Sequence, residues 1–229
     1  MILRIKLANI NTRIDTADKQ IIKNTEDFRY DFRCEPDVSL KVTDQEIKEY
    51  CRNYRFSNAG EAENALFAGK FFELLPDLGG FALKGTAVAL KDSALLIAGE
   101  DEDRRRCLEE IVYAADSVEM LDDTYGIVKS EKDGWYLYGT PWRKKLGSAS
   151  GKRLSFIVLP GTHAGAEGVD RQEALYAAML WTSPQRHGET LARIAALFEK
   201  LLRADMVVPF SPGGAADLVG RIVKRTASN

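Results

Sequence analysis

No apolar run in these 229 residues approaches the ~18 that a membrane-spanning helix needs. Charges at Arg4 and Lys6 come too early for a secretory core, so no membrane partner is expected. Cysteine is scarce. Cys34, Cys51 and Cys107 are odd in number, far apart and without a C-x-x-C pair. That argues against a disulfide framework and suits reduced thiols, which makes a cytoplasmic location the expectation. A surplus of one charge is also missing. Lysine and arginine total 32 against 34 aspartates and glutamates, so nothing general draws the chain to nucleic acid or an anionic surface. The histidines, His163 and His187, have no second metal-type ligand at a recognisable spacing. No serine lies in a G-x-S-x-G elbow.

A hydrophobic content of 45% with 29% charged residues is enough for a sizeable core. Residues 1–59 read as a small β-rich region with strand character over 1–10 and 38–42. Thr43-Asp44-Gln45-Glu46 forms a candidate capping box for a short helix. Ala65, Leu66, Phe67, Phe71, Phe72, Leu74 and Leu75 give a helix with a wide apolar face, stopped near Pro76 and Gly79-Gly80. Strands are then expected over 81–90 and 94–98, a helix over 101–115, and a short strand over 118–121. A hairpin over 125–138 turns at Asp133-Gly134. A strand at 154–159, a Gly-rich loop at 161–168, helices at 170–181 and 188–204, a strand at 206–210 and a helix at 214–225 complete the chain. Strands and helices in mixed order indicate an α/β domain over 60–229.

Within it, Leu95-Leu96-Ile97-Ala98-Gly99 leads into a helical pattern, the frame of a phosphate-binding loop. The contents differ: Glu100-Asp101-Glu102-Asp103 is followed by Arg104-Arg105-Arg106. Two unit charges ~5 Å apart interact by roughly 3 kcal/mol at an effective dielectric near 20, so four acids oppose a triphosphate unless a metal intervenes. Without any ligand, Glu100/Arg104, Asp101/Arg105 and Glu102/Arg106 read as i,i+4 ion pairs on a helix starting near Gly99. A metal-assisted nucleotide site and an electrostatic docking surface are the other readings of the same residues.

Asp122-Asp123 ends the 118–121 strand, where open α/β sheets place chemistry. Such a pair can divide into metal ligand and base, or simply start a turn. Trp142-Arg143-Lys144-Lys145 with Lys152-Arg153 is a basic patch beside an aromatic. It reads as a solvated loop or as a hold for phosphates. Cys107 beside arginines reads as a packing residue or as a thiol of lowered pKa.

The blocks Gly80-Phe81-Ala82-Leu83-Lys84-Gly85-Thr86-Ala87-Val88-Ala89-Leu90, Leu95-Leu96-Ile97-Ala98, Leu121-Asp122-Asp123 and Gly134-Trp135-Tyr136-Leu137-Tyr138-Gly139-Thr140-Pro141-Trp142 carry a resemblance. In order and spacing they resemble the HPr kinase and ATP-dependent phosphoenolpyruvate carboxykinase superfamily, and more narrowly bacterial HPr-kinase-like proteins. The resemblance covers roughly 60–225 and implies a P-loop-type mixed sheet flanked by helices. It places the P-loop at 99–106, beginning at Gly99, with Arg104 where the phosphate-gripping lysine stands and Arg105 at the magnesium-holding hydroxyl. It makes Asp122 the metal ligand and Asp123 the base, sets Lys84 where a histidine is common, and puts Lys145 near the active site. The aspartates and the Gly-Thr-Pro-Trp turn match the pattern; the loop departs from it.

A preserved scaffold around a lost phosphate grip implies an HPr-kinase-like pseudoenzyme, a binding or regulatory protein with no cofactor and an unidentified protein or small-molecule partner. The alternative is an ATP-dependent kinase, using ATP and Mg²⁺, that phosphorylates a protein or small-molecule hydroxyl. A nucleic-acid binder using 143–153 is disfavoured by the charge balance. HPr kinases assemble, so the resemblance also implies a homo-oligomer.

Overall fold

The computed structural model describes residues 1–31, 33–56, 58–142, 149–160, 164–165, 168–180, 182 and 188–227. The chain opens with β1 (Ile2–Leu7) and β2 (Ile10–Asp15), an antiparallel hairpin. Ala8 and Asn9 turn it with φ of +46° and +62°, the left-handed pair that matches the twist of a two-residue hairpin. The stretch expected as one strand over 1–10 is thus cut by a turn that carries no glycine. After α1 (Lys19–Asn24), β3 (Val38–Lys41) adds parallel to β2. The anticipated capping box opens α2 (Asp44–Tyr54): Glu46 N donates to Thr43 Oγ1, and Thr43 N donates to the Glu46 carboxylate at 2.7 Å.

The apolar helix α3 (Ala59–Leu74) leads through a turn at Gly79 into β4 (Gly80–Leu90) and β5 (Ser93–Ala98). Next come α4 (Asp101–Ala114), β6 (Glu119–Asp122), β7 (Tyr125–Glu131), β8 (Gly134–Tyr138) and β9 (Lys152–Pro160). A short pair, β10 (Ala164–Gly165) and β11 (Gly168–Val169), precedes α5 (Arg171–Leu180), α6 (Gly188–Arg203), β12 (Val207–Phe210) and α7 (Ala215–Ala227).

The large sheet is mixed, in the order β12-β9-β5-β4-β7-β8. β5, β9 and β12 run parallel, whereas β4 is antiparallel to both its neighbours β5 and β7. β6 pairs with the second half of β4, on the edge whose first half carries β7. Alternate residues of β5 and β9 feed two cores. Leu95, Ile97, Phe156 and Val158 pack with Cys107 and Ile111 of α4 and Leu218 and Ile222 of α7. Leu96, Ala98, Ile157 and Leu159 pack with Phe198 of α6 and Ala178 of α5. Burial on both faces is why these strands read as unbroken apolar runs.

A third core joins the small sheet to the large one. Phe67, Phe71 and Phe72 of α3 pack with Ile5, Leu7 and Ile14 on one side and Ile127 and Tyr138 on the other. Residues on both sides of the 59/60 boundary therefore share one apolar interior. Among the described residues, no helix is long and apolar enough to cross a membrane.

Candidate functional site

β5 ends at Ala98 and α4 begins at Asp101, so Gly99 and Glu100 alone connect them. Glu100 is the N-cap, and its carbonyl accepts from Arg104 N at 2.9 Å. Asp101, Glu102 and Asp103 fill the first turn, where acids complement the helix macrodipole. Gly99 is buried with φ of +151°, and a Cβ there would meet Pro160 at 3.6 Å and the Arg104 stem at 3.9 Å. A phosphate cradle needs a wider run of backbone N–H groups between strand and helix. Two residues do not supply one.

Arg104 turns into the protein and is 7% exposed. Its Nη1 donates to Thr86 Oγ1 at 3.2 Å and to the Asp123 carbonyl at 3.3 Å. Nη2 donates to Asp101 Oδ1 at 2.5 Å, and Lys84 Nζ lies 3.2 Å from the same oxygen. The Arg104 bond, and then the Lys84 bond, hold the Asp101 carboxyl below its usual range.

The ladder of three i,i+4 pairs expected along this helix is corrected here. Asp101 pairs with Arg104 and Lys84 rather than with Arg105, which extends toward Glu109 at 4.0 Å. The reason is the direction in which position 104 faces. It lies three residues before Cys107 and seven before Ile111, both fully buried, and so falls on the stripe that faces the sheet. Cys107 shares that stripe. Burial pushes its thiol up to about 12, the reverse of activation by the neighbouring arginines.

Asp122 is 0% exposed. Its Oδ1 accepts from Thr124 N at 2.8 Å and Tyr125 N at 3.1 Å. Its Oδ2 accepts from Thr140 N at 2.7 Å and Thr140 Oγ1 at 2.8 Å. Burial raises its pKa while these bonds pull it down. The carboxylate pins the break between β6 and β7 and ties the chain leaving β8 across it. With both oxygens taken up in this way, it does not fit the place of a magnesium ligand. Asp123 points outward, where its carboxylate accepts from Thr124 Oγ1 at 3.1 Å.

Gly99, Arg104, Asp122 and Asp123 are thus brought together, while Arg105 sits on the outer face of α4. Lys145 lies outside the described residues, as do Arg143, Lys144, His163, Trp181 and His187. Among the described residues, no group of three or more His, Cys, Asp or Glu side chains is arranged for a metal. Two members of the cluster escape sequence reasoning as site residues. Thr140 and Thr86 each stand in a block that carries the resemblance, Gly134–Trp142 and Gly80–Leu90, but nothing within either block marks the threonine as a site residue. No family model and no curated protein matches the chain.

Proposed function

We propose that the protein is a folded, non-catalytic HPr-kinase-like protein that acts by binding a protein or small-molecule partner. The supporting observation is the inward Arg104, whose guanidinium is occupied by Asp101, Thr86 and the Asp123 carbonyl. A residue standing for the phosphate grip serves as an internal strut. The two-residue connection before α4 supports the same reading, because ATP would need its first turn unwound.

The competing reading, an ATP-dependent kinase acting on a hydroxyl, keeps one feature. Asp123 is exposed at the C-terminal end of β6, a suitable place for a base. It requires Arg104 to abandon three partners and turn outward past acids.

Calorimetric titration of the full chain with MgATP separates the two. No binding heat is expected at up to about 1 mM nucleotide. Micromolar binding accompanied by ATP turnover that Asp123→Asn abolishes would overturn the proposal.

A further inference from the structure

The first residues of β5, β8 and β9 and the last turn of α7 bound a cavity of ≈ 280 Å³ that shares no residue with the Arg104 cluster. One of its wall residues is a buried serine. Ala94 pairs with Leu154 and Leu95 with Phe156, so Ser155 is the extra residue of a β-bulge, a device that re-aims a side chain out of the strand's alternation. Ser155 is 4% exposed, and its hydroxyl makes no hydrogen bond to any described residue. The sealed side-chain atoms left unanswered among the described residues belong to Asn64, Arg104 and Trp142. The Ser155 oxygen is not one of them, so it keeps accessible surface, and the cavity is the space this residue lines. A hydroxyl so buried, unanswered and open to a cavity calls for a polar group on an occupant.

Two guanidinium groups in the same wall limit what that occupant is. The Arg153 head lies against Gly134, where an added Cβ would come within 3.5 Å of Nε and Nη2, and Nη2 donates to the Asp133 carbonyl at 3.2 Å. Arg225 donates to the Ala204 and Asp205 carbonyls at 3.1 and 3.3 Å, and its guanidinium carbon lies 5.1 Å from the centre of the Phe156 ring. These neutral partners hold both side chains in place. Asp92 also lies in the wall, but it is exposed at the turn before β5. Among the described residues of the wall, two half-buried cations thus face one solvent-screened acid, which favours an anion. Trp135, Leu154 and Met206 add apolar surface. The volume falls just under the roughly 300–1,000 Å³ of drug-sized sites, so the occupant is small.

We propose that this cavity binds a small organic carboxylate with an apolar body. Arg153 and Arg225 hold the carboxylate, Ser155 Oγ donates to it, and Trp135, Leu154 and Met206 cover the hydrocarbon. That apolar surface separates an organic acid from inorganic phosphate, whose hydration shell it would strip without return. The assignment goes beyond the reading of the Arg104 cluster and stands whether or not nucleotide binds at residues 99–123.

The test is the indole N–H signal of Trp135 in ¹⁵N-labelled full-length protein, identified as the one that Trp135→Phe removes. Benzoate is the active probe; benzamide, its neutral isostere, and inorganic phosphate are the controls, all at one ionic strength. Benzoate should shift the signal with Kd of about 1 mM or tighter, and both controls should bind at least about tenfold more weakly. Arg153→Met should weaken benzoate by at least about tenfold. Ser155→Ala, which removes no hydrogen bond from the free protein, should weaken it about fivefold. The assignment is overturned by an unmoved signal at about 10 mM benzoate, by either control binding as tightly as benzoate, or by Ser155→Ala binding benzoate as well as the parent does.

Discussion

At one end of the turn that follows β8, Thr140 gives both its N–H and its hydroxyl to Asp122. Two residues later, Trp142 keeps a buried indole N–H with no protein acceptor. Both ends are interior, and both carry polar groups that are expensive to leave unanswered. The first end is a closed joint. Every oxygen lone pair Asp122 can offer meets a donor, so the aspartate that resembles a metal ligand works as a fastener. The second end keeps its donor sealed in the interior and unanswered. Burial is thus answered at the first end and unanswered at the second, as it also is at Arg104 Nε.

The largest effect should come from removing the acceptor at the closed end. Asp122→Ala strands three backbone N–H groups and one hydroxyl. The backbone donors cannot rotate away toward water, so a loss of about 3–4 kcal/mol is expected in urea unfolding. A loss below about 1 kcal/mol would mean that the joint is not what holds the β6–β7 break.

Thr140→Val should come next. It keeps the shape and the backbone donor and removes one hydroxyl bond, for about 1–1.5 kcal/mol at neutral pH. The pH dependence sharpens the comparison. Burial raises the Asp122 pKa, so the folded chain binds this proton more readily than the unfolded chain does. This group's contribution to stability therefore falls as pH rises above the ordinary carboxylate range. Losing a donor raises the folded pKa further and steepens that fall. The cost of Thr140→Val should shrink on acidification toward about pH 4; a cost independent of pH would place the hydroxyl outside the joint.

What could be read from the residues, and what could not, follows the reach of each interaction. The two-sided burial of β5 and β9 is written in consecutive apolar residues, and the capping box of α2 closes within four positions, so both were legible. The mixed order of strands and helices indicated an α/β sheet. The Ala8-Asn9 turn was hidden because neither residue is the glycine that usually signals left-handed φ. The charge pattern of 100–106 reads correctly as a helix but misassigns its pairs, because the sheet beneath, and not the helix itself, decides that Arg104 faces inward. Asp122 stood out at a strand end. Its closest partner is Thr140, 18 residues away, and only the return of β8 brings them together. Asn64 and Trp142 are 78 residues apart, and neither has a motif that announces the other.

The smallest stability effect should belong to the second end, at Trp142. Asn64→Leu removes an acceptor that has no partner, along with a long 3.4 Å bond to the Trp142 carbonyl. Leucine is bulkier and adds some crowding, while removal of the unanswered acceptor offsets the loss of that bond. Stability should stay within about 0.5 kcal/mol of the parent, or rise slightly, as read by the urea midpoint at unchanged slope. Loss of more than about 1 kcal/mol would instead place Asn64 with Thr140 as structure, and the two ends of the turn would no longer differ in kind.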